Sequence, residues 1–230
     1  MPCAPKSRMR KPATESSPIA LTPAPPNQSD ANAIDCERLR SVLSPFPTRT
    51  QFSADDGVAD GELTPASVLF PIVLRESGPA VLFTQRTEHL RDHPGQISFP
   101  GGRVEVDDTS PAHTALREAQ EEIGLSAAHI EIIGYLPEYR TGTGFRVTPV
   151  VALVRPPFEL RPDPAEVASI FEVPLAFLMD FANHQQHSAH SRGKLRHFFA
   201  MPYGEYFIWG ATAGIIVTLA RALRDCGATS

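Results

Sequence analysis

The sequence has little of what would mark a protein for export, for a membrane or for a nucleic acid. Cysteine is scarce: Cys3, Cys36 and Cys226 are odd in number, widely scattered and in no metal-ligand spacing, which argues against a disulfide framework and a zinc knuckle. A reducing, cytoplasmic setting is expected. No apolar run approaches the ~20 residues that cross a bilayer. The longest, Ala211 to Leu223, is short, carries Arg221 and Arg224 at its end, and reads as a core helix. The basic opening residues lead into no apolar run of signal-peptide length, so nothing marks the chain for export. Charge of one sign is also lacking: 21 basic residues against 26 acidic ones leave a net −5. That is no footprint for general nucleic-acid or membrane binding, and a polyanionic substrate would need a metal to help hold it.

What is present suffices for one sizeable core, with 230 residues of which 42% are hydrophobic. Residues 1–29 are rich in Pro, Ser, Thr and Ala, too poor in large apolar groups to offset the entropy of ordering, and are expected to form a disordered tail. Residues 30–230 are expected to form the domain. From Asp30, the pattern Ile34, Leu39, Val42, Leu43 suits a short amphipathic helix stopped by Pro45. Val68 to Leu74 and Ala80 to Gln85, separated by Glu76-Ser77-Gly78-Pro79, read as a hairpin. Ile130 to Leu136, Val147 to Val154 and Ser169 to Val173 have strand composition, with Leu195 to Phe199 and Tyr206 to Trp209 as weaker candidates. Two helices are predicted. One spans Pro111 to Ile123, with Ser110 as N-cap and Gly124 as stop; the other spans Ala211 to Asp225 and ends at Gly227. His184, His187 and His190 sit among Asn, Gln, Ser and Ala and read as an exposed, mobile loop. Thr141 to Phe145 is either a loop able to close over substrate or a plain connection.

The first of the two helices carries the chemistry. Helical spacing places Ala112, Leu116, Ala119 and Ile123 on one stripe, expected to face the core. Glu118, Glu121 and Glu122 gather on the opposite side, where like charges cost roughly 0.2–0.5 kcal/mol per pair and Arg117 offsets only part. A cation makes better sense of them, and oxygen ligands suit Mg²⁺ or Mn²⁺. Just upstream, Phe99-Pro100-Gly101-Gly102 follows a strand-like stretch, and its paired glycines permit a tight turn.

The string from Gly102 through Asp108 to Arg117-Glu118-x-x-Glu121-Glu122-x-Gly124-Leu125 resembles the Nudix box. Asp108 stands where that family usually has its first Glu, and eight residues instead of seven separate it from Arg117. The resemblance implies an α/β/α sandwich with a mixed β-sheet between helices. It implies hydrolysis of a phosphate anhydride, with Glu118, Glu121 and Glu122 as metal ligands joined by the Gly102 carbonyl. Glu118, Glu121 and Arg117 are then the catalytic residues, Arg117 by orienting the glutamates. Glu205 and Glu138 are candidates for an additional base.

Residues Leu82 to Gly102 further resemble the signature of the coenzyme A branch of that family, with Arg86, Arg91 and Gly95 in register. Tyr206 to Ala213 also looks like that branch. Arg86 and Arg91 suit a phosphorylated substrate, because guanidinium forks bind phosphate bidentately. The implied reaction cleaves the diphosphate of coenzyme A or its thioesters to 3′,5′-ADP and (acyl-)4′-phosphopantetheine. Another nucleoside diphosphate derivative such as ADP-ribose or NADH, or a binding module that has lost turnover, remains as an alternative. The expected partner is a small molecule, coenzyme A or acyl-coenzyme A, with a homodimer open and neither nucleic acid nor membrane expected.

Overall fold

Strand β1 (Thr64–Arg75) turns Leu69 and Val73 to one side and Phe70 and Ile72 to the other, and all four are buried. A strand buried on both faces lies inside a sheet that is covered on both faces. The computed structural model, which describes residues 36–48, 62–90, 94–191 and 194–227, shows that arrangement. The central strands run β3-β2-β1-β7-β5, comprising β3 (Ile97–Ser98), β2 (Gly78–Arg86), β7 (Phe145–Val154) and β5 (Ile130–Tyr135). Three further strands join this eight-stranded sheet: β4 (Gly101–Arg103) on β1, β6 (Tyr139–Arg140) on β7 and β8 (Val167–Pro174) on β2. The β1–β7 pair is parallel and its neighbours are antiparallel, so the sheet is mixed.

Helix α2 (Pro111–Ile123) covers one face, where Ala115, Ala119 and Ile123 pack on Leu69, Val73, Leu82 and Val150. On the other face, α1 (Cys36–Ser41), α3 (Leu175–Met179) and α4 (Gly210–Gly227) close over Phe70, Ile72, Phe83 and Val151. The expected α/β/α sandwich is therefore observed. Among the described residues no helix is long and apolar enough to cross a membrane.

Several local expectations change. The hairpin turn is only Glu76-Ser77, because Gly78 and Pro79 already belong to β2. The helix expected from Asp30 is described only as α1, and residues 1–29 lie outside the described residues. Leu116 is only half-buried, and Ala115 takes its place on the core stripe. The supposed histidine loop is a strand, β9 (Gln185–Ser191), for His187 and His190, with His184 just before it. It pairs with β10 (Lys194–Tyr203), which pairs with β11 (Tyr206–Trp209) in a second, antiparallel sheet. Polar alternation hid that strand, since its partner supplies the apolar residues: His187 stacks on Phe198, which meets Trp209 edge-on.

Candidate active site

Helix α2 is placed by its own sequence. Ser110 Oγ accepts a hydrogen bond from the His113 N–H at 3.1 Å, Pro111 begins the first turn, and Gly124 ends the helix in the left-handed region at φ 68°. Beside it, β4 binds β1 so tightly that Gly101 and Gly102 have no room for side chains. A Cβ on Gly101 would run into the Ser67 carbonyl oxygen and Val68 Cα, and one on Gly102 into the Glu118 carboxylate. The glycine turn thus lies directly against the helix acids.

Those acids have separate environments. Glu122 is 6% exposed and accepts the Gly101 N–H at 3.1 Å, so it lies on the covered side of the helix and not opposite the core stripe as expected. Glu118 is half-buried against Gly102. Glu121 is exposed and accepts from Arg117 Nη1 at 2.9 Å. Burial pushes the Glu122 carboxyl up to about 8, opposed by the Gly101 N–H, reinforced by repulsion from Glu118 and Glu166 and eased by Arg86. Burial also raises Glu118, against the pull of Arg117 and with repulsion from Glu121 and Glu166.

Arg117 and Asp108 brace the helix to the loop before it. Arg117 donates from Nε and Nη2 to the two Asp108 oxygens at 3.2 and 3.0 Å, from Nη1 to Glu118 at 3.0 Å, and from Nη2 to the Arg103 carbonyl at 3.1 Å. Asp108 also accepts from Thr114 Oγ1 and the Glu105 N–H, both at 2.9 Å. The Arg117 guanidinium, first among these partners, holds the Asp108 carboxyl well below the usual range. The shorter acid at the end of the longer loop thus still reaches Arg117.

Glu166 has no counterpart in the sequence reading. The Asp163 N–H donates to the Glu122 carbonyl at 2.8 Å, the Arg161 N–H to the Ile123 carbonyl at 2.8 Å, and the Thr87 N–H to the Glu166 carbonyl at 2.9 Å. The β2–β8 register then sets Val167 opposite Arg86. An acid directly before a strand was the only local signal; the pairing that brings it here is long-range. Arg86 is brought into the site, whereas Arg91 lies outside the described residues. Glu138 faces Arg146 at 3.8 Å, and Glu205 is exposed in the β10–β11 turn.

Glu118 and Glu122 beside the glycine turn, with Glu121 on the same helix and Glu166 near enough to raise both, offer the all-oxygen donor chemistry that suits a hard divalent cation. Among the described residues no three acidic, histidine or cysteine side chains already converge at ligand distance, so these acids are neighbours and not a finished cage. A cavity of about 570 Å³ lies elsewhere, at the C-terminal end of α2 between Gln120, Phe158 and Arg161.

The chain has similar relatives among known proteins. The chain is 44% identical over 155 residues to the uncharacterized Nudix hydrolase NudL of Escherichia coli O6:H1, an alignment covering 67% of this chain and 80% of that one. NudL of Escherichia coli K12 is 43% identical over the same shares. Among solved structures, the chain is similar to RenU, a Nudix hydrolase of M. smegmatis, at 20% identity and a TM-score of 0.47, covering 74% of this chain and 96% of that one. The NUDIX domain model matches residues 63–193, from the start of β1 to just past β9, and with the NudL proteins it makes the chain a member of the Nudix hydrolase family.

Proposed function

We propose that the chain is a coenzyme A diphosphatase: it adds water across the diphosphate of coenzyme A or its thioesters, giving 3′,5′-ADP and (acyl-)4′-phosphopantetheine. The observation that carries the anhydride chemistry is the group Glu118, Glu122 and Glu166 beside Gly101 and Gly102, with Arg86 acting on it. The choice of substrate is supported by the resemblance of Leu82 to Gly102 to the coenzyme A signature.

Glu118, Glu121 and Glu122, with the Gly102 carbonyl, would hold Mg²⁺ or Mn²⁺. When bound, the cation neutralises the diphosphate and lowers the pKa of the attacking water. Glu166, next to Glu118 and Glu122 on a loop fixed by main-chain bonds, takes the proton of that water. Arg117 keeps Glu118 and Glu121 aimed while its other edge is tied to Asp108. Arg86 binds the diphosphate.

Incubation of purified protein with coenzyme A, ADP-ribose and NADH, each with Mg²⁺ or Mn²⁺, is expected to show coenzyme A consumed fastest, with 3′,5′-ADP as a product. Faster hydrolysis of ADP-ribose than of coenzyme A would remove the substrate assignment and leave the carboxylate site standing. Because Arg86 adjoins Glu122, Arg86→Ala is expected to lower kcat/KM by about 10- to 150-fold for coenzyme A and 3′-dephospho-coenzyme A alike, the loss of one charge-assisted hydrogen bond. A selective loss on coenzyme A would place Arg86 on the 3′-phosphate instead.

A further inference from the structure

Strands β6 and β7 hold two arginines face to face: Arg140 pairs with Arg146 in the register. Like charges directly opposite one another weaken a sheet, and the fold supplies little to offset them. The Nε of Arg140 is buried without a hydrogen-bond partner. Arg146 has only Glu138, at 3.8 Å, a distance too long for a hydrogen bond. Both arginines line a cavity of about 310 Å³ together with Glu62, Leu63 and Pro65, and among the described residues Glu62 forms no ion pair with either. A buried donor left unmade is costly, and a ligand oxygen that meets it recovers that cost. Two convergent guanidinium groups with free donors match the oxygens of a phosphate, which each can meet with two parallel hydrogen bonds.

The cavity is also close to the chemistry. On β1, Pro65 pairs with Arg146 on one side, and Ser67 pairs with Gly102 on the other. With strands about 4.8 Å apart and residues about 3.3 Å apart along them, the Arg146 and Gly102 backbones are separated by roughly 12 Å. That separation is within the reach of one nucleotide together with an arginine side chain.

We propose that the Arg140–Arg146 cavity is an anion subsite for a phosphate monoester of the substrate, apart from the diphosphate that is cleaved. This rests on the coenzyme A reading, in which the ribose carries a 3′-phosphate. Arg86 serves the diphosphate and the β6–β7 pair reads the monoester, so discrimination and hydrolysis are assigned to different arginines.

The test is calorimetric titration of the full chain, in Mg²⁺, with 3′,5′-ADP and with 5′-AMP, which differ only in the monoester. Wild-type protein is expected to bind 3′,5′-ADP at least about 10-fold more tightly, as a charge-assisted contact implies. Arg140→Gln and Arg146→Gln are each expected to remove about 10-fold from 3′,5′-ADP binding and to leave 5′-AMP binding unchanged. Both variants should melt no lower than wild type, since each relieves a like-charge pair, whereas a purely structural arginine would lower the melt. Equal loss on the two nucleotides, or no loss, overturns the subsite. If a glutamine variant does not fold, wild-type protein still decides the matter: equal affinity for the two nucleotides overturns it, as does full discrimination retained by Arg146→Lys, which keeps the charge but loses the fork. The two proposals fail separately. A wild type that ignores coenzyme A yet keeps an arginine-dependent preference for 3′,5′-ADP sinks the substrate assignment alone, and coenzyme A hydrolysis without that dependence sinks the subsite alone.

Discussion

Glu122→Gln is expected to lower turnover by on the order of 10²-fold or more at saturating metal while the protein stays folded. Glutamine fills the same volume, and its side-chain oxygen can still accept the Gly101 N–H. What disappears is the charge. The wild-type carboxyl titrates at about 8 in the folded state, above its ordinary value of 4.5. Between those two pH values the folded chain keeps a proton that the unfolded chain releases. Metal-free wild type should therefore lose stability as pH rises through that window, by at most about 1.4 kcal/mol per unit, and level off above it. Glu122→Gln should melt with a flatter pH dependence, and added Mg²⁺ should stabilise wild type more than the variant. Thermal melts from pH 5 to 9 and a turnover assay check both halves. A folded variant with near-wild-type turnover would take Glu122 out of the catalytic set.

Arg117→Ala should be costly for a different reason. The Asp108 side chain is 1% exposed, and its remaining donors would be Thr114 Oγ1 and the Glu105 N–H. Leaving that acid without its guanidinium is expected to cost on the order of 2–3 kcal/mol. The pH dependence identifies the partner. Asp108 is depressed in the folded state, so its contribution is present above the ordinary carboxylate pKa and is lost as pH falls through the lower folded value. The deficit should be full at pH 7 and smaller near pH 3, as read by urea unfolding. Arg117→Lys should recover only part of it, because an ammonium cannot span both Asp108 oxygens and the Arg103 carbonyl. Turnover should fall as well, since Glu118 and Glu121 both lean on Nη1. Wild-type stability in Arg117→Ala would show that the brace contributes nothing.

The parts of this site that were legible in the sequence are those set by neighbours in the chain. Ser110, Pro111 and Gly124 announced both ends of α2, and the spacing of Glu118, Glu121 and Glu122 followed from the helix alone. The burial of Glu122 was not legible, because it comes from β4, three residues long and recognisable only through its pairing with β1. Glu166 was hidden for a similar reason: it lies 44 positions beyond Glu122 and arrives through the β2–β8 ladder. The strand containing His187 and His190 read as a loop because its own side chains are polar and Phe198 on the neighbouring strand supplies the packing.

The segment ending at Glu166 is pinned through main-chain atoms, with N–H groups at 161 and 163 capping the last carbonyls of α2 and the carbonyl of 166 held by Thr87. Backbone bonds of this kind do not depend on which side chain is attached, provided that positions 161 and 163 are not proline. Homologous lineages are thus free to exchange the exposed Glu159 and Pro162 while the acid stays in place. For an engineer, the same segment is a stretch that tolerates rewriting a few ångströms from a centre that tolerates almost none.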